Sequence, residues 1–447
     1  MSSVLPRIHV NTNHRFLMTE AGEPFFWLGD TAWELFHRTS HQEALRYLDN
    51  RQRNGFTVIQ AVALAECDGL NTPNYYGHRP LEENDPTRPV DAYFQYIDDL
   101  VQLAAQRQLY IGLLPTFGDK VTRMWGIGPQ VFTPENACAF GEYLGRRYRD
   151  ATNIIWVNGG DRPPIHDGVE YSPVWRGMAE GVRAGVAGHT LMTYHPCGQS
   201  GSSEAFHHDN WLDFNMWQSG HIAPDLPIWD WITADYERRP TKPVLDGEPN
   251  YEDHPINPFT REWLPEYGYF RDYDLRKQAY RSVFAGACGI TYGHHSIWQM
   301  YTNEREPINF PDRDWYSALE RPGAAQMIHL RRLMESRPYF SRIPDQTMLL
   351  SDVGEGAAHI RATRDAEGRY ALIYLPLASQ TVTIDLQGLA GQTINASWYD
   401  PRTGVATHID SFTGQSTLSF TSPSEGPDWV LVLDNATGKF AAPVVMG

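Results

Sequence analysis

The sequence predicts a (β/α)8 TIM barrel followed by a small antiparallel β-sandwich. Eight short apolar runs, most of them followed by a stretch of helical periodicity, fill the first part of the chain. From Asp345 to about Asn435 apolar and polar residues alternate instead, with turn clusters between the runs and no helical stretch. No G-x-G-x-x-G follows any of the eight runs, which counts against the competing open, doubly wound sheet. The expected division is residues 1–340 for the barrel with an N-terminal hairpin and residues 341–447 for the sandwich, with the passage near 338–345 and a short tail after Thr437.

Residues 15–33, RFLMTEAGEPFFWLGDTAW, turn at Glu20-Ala21-Gly22-Glu23 and then run apolar from Phe25 to Leu28, halting at Gly29-Asp30. FFWLGD is the first barrel strand. Ser40 caps the helix HQEALRYLDNRQRNGF, whose Leu45, Leu48 and Phe56 recur at helical spacing. TVIQAVAL (57–64) is the second strand, and a long loop leads to a helix from Ala92 to Gln106. LYIGLLPT (109–116) precedes the helix ENACAFGEYLGRRYRD, and the fourth strand starts at Asn153. A helix from Val174 to Ala187 leads to TLMTYHP (190–196), FNMWQSG (214–220) and a helix from Ile228 to Glu237. PVL (243–245), a helix from Asp274 to Ala287, GITYGHHSIW (289–298) and a helix from Gly323 to Arg337 complete the barrel. The sandwich strands are MLLSD, AHIRATRD, RYALIYLP, TVTIDLQG, INASWYDPRTG, STLSFTSP and WVLVLD.

The bulk properties narrow the function. A formal net charge of −17 is the wrong sign for a nucleic-acid partner, which needs a basic field. The four cysteines, Cys67, Cys138, Cys197 and Cys288, form no C-x-x-C pair, so neither a zinc knuckle nor a dense disulfide framework is implied. His207-His208-Asp209 and His294-His295 lack the H-x-x-x-H spacing of a helical metal site, and neither metal nor cofactor is expected. No window approaches the ~20 apolar residues of a membrane span. MSSVLPRIHVNTNHRF has no basic start followed by an apolar region, so the expected location is the cytoplasm, or the periplasm or exterior if a signal has been removed. Aromatic residues make up 13%, a surplus suited to stacking on sugar faces as well as to packing.

Two carboxylates stand out. In NIIWVNGGDRPP (153–164) and PVLDGEPNYE (243–252) an apolar strand breaks at glycine and delivers an acid, Asp161 or Glu248, with proline following. In a closed barrel the strand ends share one pocket, so the two meet there although remote in sequence. A carboxylate pair is what glycosidic bond cleavage uses, and a separation of ~5–5.5 Å would mean retention of configuration. On that expectation Glu248 is the nucleophile and Asp161 the acid/base. The competing roles are a loop cap paired with Arg162 for Asp161 and a structural ion pair for Glu248. Asp30, Trp33, Asn158, Tyr194, His195, Trp217, Gln218, His295 and Trp298 also lie at strand ends, where rings and amides bind neutral sugars.

Phe25 to Trp33 (FFWLGDTAW), Trp156 to Asp161 (WVNGGD), Gly247-Glu248-Pro249 with Tyr251-Glu252, and Trp398 to Gly404 (WYDPRTG) resemble glycoside hydrolase family 140. This is the apiosidase family, in which a barrel precedes a β-sandwich named for collagen binding. The resemblance extends over about residues 8–435 and implies a retaining enzyme acting on apiosyl linkages of the pectin rhamnogalacturonan II or on small apiosides. It also implies that Asp161 is the acid/base and Glu248 the nucleophile. The sequence departs from the wider barrel-hydrolase clan in placing Gly160 and an aspartate where that clan has Asn and a glutamate. The alternatives are another furanosidase or plant-glycoside hydrolase and, from a different class, a non-catalytic carbohydrate- or collagen-binding protein.

Overall fold

The computed structural model describes residues 5–188, 190–259, 263–391, 393–438 and 440. Most of the tail expected after Thr437 therefore lies outside the described residues. Eight parallel strands form the barrel wall: β1 (Trp27–Thr31), β2 (Val58–Leu64), β3 (Tyr110–Thr116), β4 (Ile154–Gly159), β5 (Met192–His195), β6 (Asn215–Gln218), β7 (Val244–Asp246) and β8 (Gly289–Tyr292). Every residue in them is buried, which is why they read as continuous apolar runs rather than as alternation. Their order is β5-β4-β3-β2-β1-β8-β7-β6, with Ser200–Gly201 added antiparallel to β6.

The ring closes between β5 and β6 without a continuous ladder. Thr193 Oγ1 donates to Phe214 O at 2.7 Å, Asp213 N to Met192 O at 2.8 Å, and Met192 N to Asp213 Oδ2 at 2.8 Å.

The helices that follow the strands are α1 (His41–Arg53), α2 (Asp91–Gln106), α3 (Pro134–Arg147), α4 (Ser172–Val186), the single turn α5 (Ser203–Phe206), α6 (Ile228–Glu237), α7 (Asp272–Phe284) and α8 (Pro322–Glu335). Ser40 caps α1 reciprocally with Glu43, and Thr133 caps α3 with Asn136, satisfying amides that the first turn leaves without partners. Helices α3 and α4 touch backbone to backbone, since a Cβ on Gly181 would stand 2.0 Å from Cys138 O. The eighth run is shorter as a strand than expected: β8 stops at Tyr292 and His295–Trp298 is a helical turn, with the His294 ring accepting from Ser296 N.

Beyond α8 come β9 (Arg342–Pro344), β10 (Arg361–Asp365), β11 (Tyr370–Leu375), β12 (Thr381–Asp385), β13 (Thr393–Asp400), β14 (Val405–Thr413), β15 (Thr417–Thr421) and β16 (Trp429–Asn435). They form an antiparallel six-stranded sheet, β9-β10-β11-β16-β13-β14, and a two-stranded sheet, β12-β15. The MLLSD run does not form a ladder; Leu349 makes one isolated bridge to Ile384.

Helix α7 carries the second unit. Arg276 on α7 grips Asp428 through Nε–Oδ2 and Nη2–Oδ1 contacts of 3.0 Å each, both side chains being buried. Arg281 donates to the carbonyls of Gly356, Ala357 and His359, and the Tyr280 ring stacks on Tyr374 at 5.0 Å. Removing one partner of a buried pair strands the other charge. Asp428→Ala should therefore lower stability by about 3 kcal/mol in chemical denaturation, and an unchanged midpoint would show that the pair does not hold the two units together.

Candidate active site

Asp161 lies two residues beyond β4 on a turn that only glycines allow. Gly159 and Gly160 have φ of 88° and 133°, and a Cβ on them would stand 2.2 Å from His195 O and 2.7 Å from Gly118 N. Asp161 itself sits at φ 57°, a left-handed conformation that a non-glycine residue adopts at a cost. Its amide donates to His195 Nδ1 at 3.3 Å. Its Oδ2 faces the indole Nε1 of Trp125 at 3.2 Å and Nη1 of Arg162 at 3.4 Å. The Gln218 amide bears on the same carboxylate. Burial and the Glu248 charge push Asp161 up to about 6 in spite of Arg162.

Glu248 lies two residues beyond β7. Gln60 reaches across from β2 to donate to Gly247 O at 2.9 Å, and Gly220 N donates to Glu248 O at 2.9 Å. Glu248 Oε1 meets His221 Nε2 at 3.1 Å, and Oε2 lies 3.0 Å from His195 Nε2. The second contact is bent away from good hydrogen-bond geometry, so Oε2 has no well-formed partner. Burial alone would raise this carboxyl, but the two imidazoles outweigh it and hold Glu248 down to about 2. Because His195 Nδ1 accepts the Asp161 amide, the ring hydrogen lies on Nε2, the edge turned to Glu248. One imidazole thus spans the two acidic residues.

Behind His221 stands a shelf of rings. His254 stacks on it at 4.1 Å and meets His295 edge-on at 4.4 Å. Burial lowers both His254 and His295, the latter to about 3, so this shelf is neutral. Glu66, just past β2, is pushed up to about 8 by burial, with Asp161, Asp119 and Glu34 nearby and Arg162 opposing.

The structure divides the other residues predicted at the strand ends. Trp33 stands edge-on to His195 with ring centroids 5.2 Å apart, and Trp298 Nε1 lies 3.4 Å from His295 Nδ1, behind the shelf of rings. His295 Nε2 is occupied by the carbonyls of Ile308 and Asn309. Four expected sugar contacts instead face the surrounding helices and loops. Asp30 is fully buried, taking the Tyr47 hydroxyl and, at 2.5 Å, Arg51 Nε from α1. Asn158 points to Trp175 O on α4 at 3.4 Å, and the Tyr194 hydroxyl donates to Arg162 O at 2.9 Å. Trp217 donates to Asp235 on α6 at 2.9 Å and stacks on Trp231. Each is part of the wall rather than of the opening.

His221 and Trp125 were not anticipated. His221 follows Gly220 directly after a strand run, the pattern that pointed to Asp161 and Glu248, whereas Trp125 sits in a long loop with no periodicity to place it. A hollow of about 640 Å³ lined by His9, His207, Asp209 and Lys242 contains neither acid of the pair.

A family model described as "Apiosidase-like, catalytic domain" matches residues 11–341. The chain belongs to this family. A second model, named for a collagen-binding domain of a collagenase, matches residues 343–434. A solved structure described as a glycoside hydrolase is 32% identical, with 98% of each chain covered and a TM-score of 0.87. A glycoside hydrolase family 5 structure from Bacteroides vulgatus ATCC 8482 is also 32% identical, with 98% of this chain and 95% of that one covered and a TM-score of 0.88. No curated protein matches the chain. The protein is a glycoside hydrolase, which sets aside a non-catalytic binding role for the barrel.

A carboxyl whose folded pKa lies below its unfolded value of about 4.3 stabilises the fold above that pH and ceases to do so as pH falls towards the folded value. His221→Phe should therefore cost about 1.5 kcal/mol near neutrality. The gap in melting temperature from wild type should close as pH is lowered from about 5 towards the Glu248 value of about 2; a gap that stays constant would show that His221 does not act through Glu248.

Proposed function

We propose that this glycoside hydrolase is a retaining β-apiosidase that cleaves apiosyl linkages in rhamnogalacturonan II fragments or in small apiosides. The observation that carries the mechanism is the splitting of one carboxyl pair: two imidazoles hold Glu248 ionised while burial and the Glu248 charge let Asp161 keep its proton up to about pH 6. The apiose assignment rests on the family.

In the first step a carboxylate oxygen of Glu248 attacks the anomeric carbon. The bond to the leaving oxygen breaks, and that oxygen takes the Asp161 proton. Since the Trp125 and Arg162 donors converge on Oδ2, Oδ1 is the oxygen placed to carry the proton. In the second step Asp161, now a carboxylate, takes a proton from water as the water oxygen attacks the anomeric carbon, and Glu248 leaves as a carboxylate. Two inversions return the original configuration, which requires carboxyls ~5–5.5 Å apart. The Glu248 charge that acts on Asp161 supports their nearness.

Glu248→Gln and Asp161→Asn should each reduce kcat/KM on a β-apioside by at least about 10³-fold without loss of fold, and turnover near wild type by either variant would remove that residue from the mechanism. NMR of the released sugar should show the β-anomer first, whereas the α-anomer first would mean inversion. A panel of other furanosides tests the sugar assignment, since the same acids would serve there. Activity should fall as pH rises through about 6, where Asp161 loses its proton, and on the acid side only towards about 2, where Glu248 gains one. A basic limb that Asp161→Asn leaves in place would belong to another group.

A further inference from the structure

In a glycosidase the general acid stands beside the oxygen of the departing group, so whatever touches that acid borders the leaving-group side of the site. Trp125 touches it, through the indole N–H 3.2 Å from Asp161 Oδ2. The ring is also built into place. Arg162, itself buried, lays its guanidinium over one indole face at 3.9 Å and donates to Trp125 O at 2.6 Å. Downstream, Asp119 Oδ2 takes the Gly128 amide at 2.9 Å, and Gly126 and Gly128 hold φ of 87° and 70°.

One face is covered by Arg162, yet Trp125 is 45% exposed, which leaves the opposite face open to a ligand. Met124 and Ile127, on either side in the loop, are exposed as well. A large aromatic held in solvent beside a half-buried acid has no packing role on that face. Water there is displaced at little cost by a flat apolar surface, which is what an aryl ring or the C–H face of a pyranose offers.

We propose that Trp125 is the leaving-group platform of this enzyme and selects aglycones that present a ring face. The proposal rests on the assignment of Asp161 as the acid. A small open-chain aglycone would reach the acid without covering the indole, so ring-bearing substrates gain contacts that others do not.

The test compares kcat/KM on phenyl and methyl β-apioside for wild type, Trp125→Ala and Trp125→Phe. Trp125→Ala should lower the phenyl-to-methyl ratio about tenfold, and Trp125→Phe, which keeps a ring but not the N–H, should retain most of it. An unchanged ratio in Trp125→Ala overturns the platform. So does an equal loss in both variants, which would place the effect in the N–H bond to Asp161 rather than in the ring face. If wild type cleaves neither apioside, the apiose assignment fails, and the same ratio is then measured on phenyl and methyl glycosides of the sugar it does cleave.

Discussion

The imidazole of His195 is the constraint on which the site depends. One nitrogen accepts the backbone amide of Asp161, and the other faces the Glu248 carboxylate. Neither contact makes sense without the other: the first fixes the tautomer, and the tautomer decides that Glu248 meets a hydrogen rather than a lone pair. His195 is fully buried at the end of β5, with Trp33 edge-on, so its orientation is set by packing. Two acids from strands on different parts of the wall are thereby brought under a single rigid ring.

The rest of the fold supports that arrangement from outside. The left-handed backbone at Asp161 is affordable because Gly159 and Gly160 let the chain pass between His195 and Gly118. On the Glu248 side, β7 is followed by α7, and α7 is the helix that Arg276, Tyr280 and Arg281 bind to the sandwich. Those contacts clamp the helix next to the Glu248 strand.

Legibility in the sequence followed burial. Barrel strands covered on both faces and helices with capped starts, such as Ser40 with Glu43, leave strong local signals, and these elements lay where periodicity put them. The candidate acids were legible because a glycine break and a proline mark the end of a strand. The neighbours were harder for one reason. Successive side chains on a strand point to opposite faces, so Asn158, Tyr194 and Trp217 face helices or loops outside the barrel, while their neighbours His195 and Gln218 bear on the candidate acids. Which member of such a pair points inward depends on sheet register, which no short window contains. Asp30 shows the same ambiguity, resolved by a buried arginine on α1. Loop residues such as Trp125 carry no periodicity at all.

The seam between β5 and β6 has a further consequence. Where the other strands share ladders, this joint is stitched by Thr193, by the Asp213 carboxylate and by one amide-to-carbonyl bond. Burial pushes Asp213 up to about 6, so the Met192 amide faces a weaker acceptor in acid than at neutrality. The two strands that meet there end in His195 and Gln218, both of which act on Asp161. The joint without a ladder therefore carries on its two edges the side chains that bear on Asp161, so a shift of one edge past the other would move His195 against Gln218.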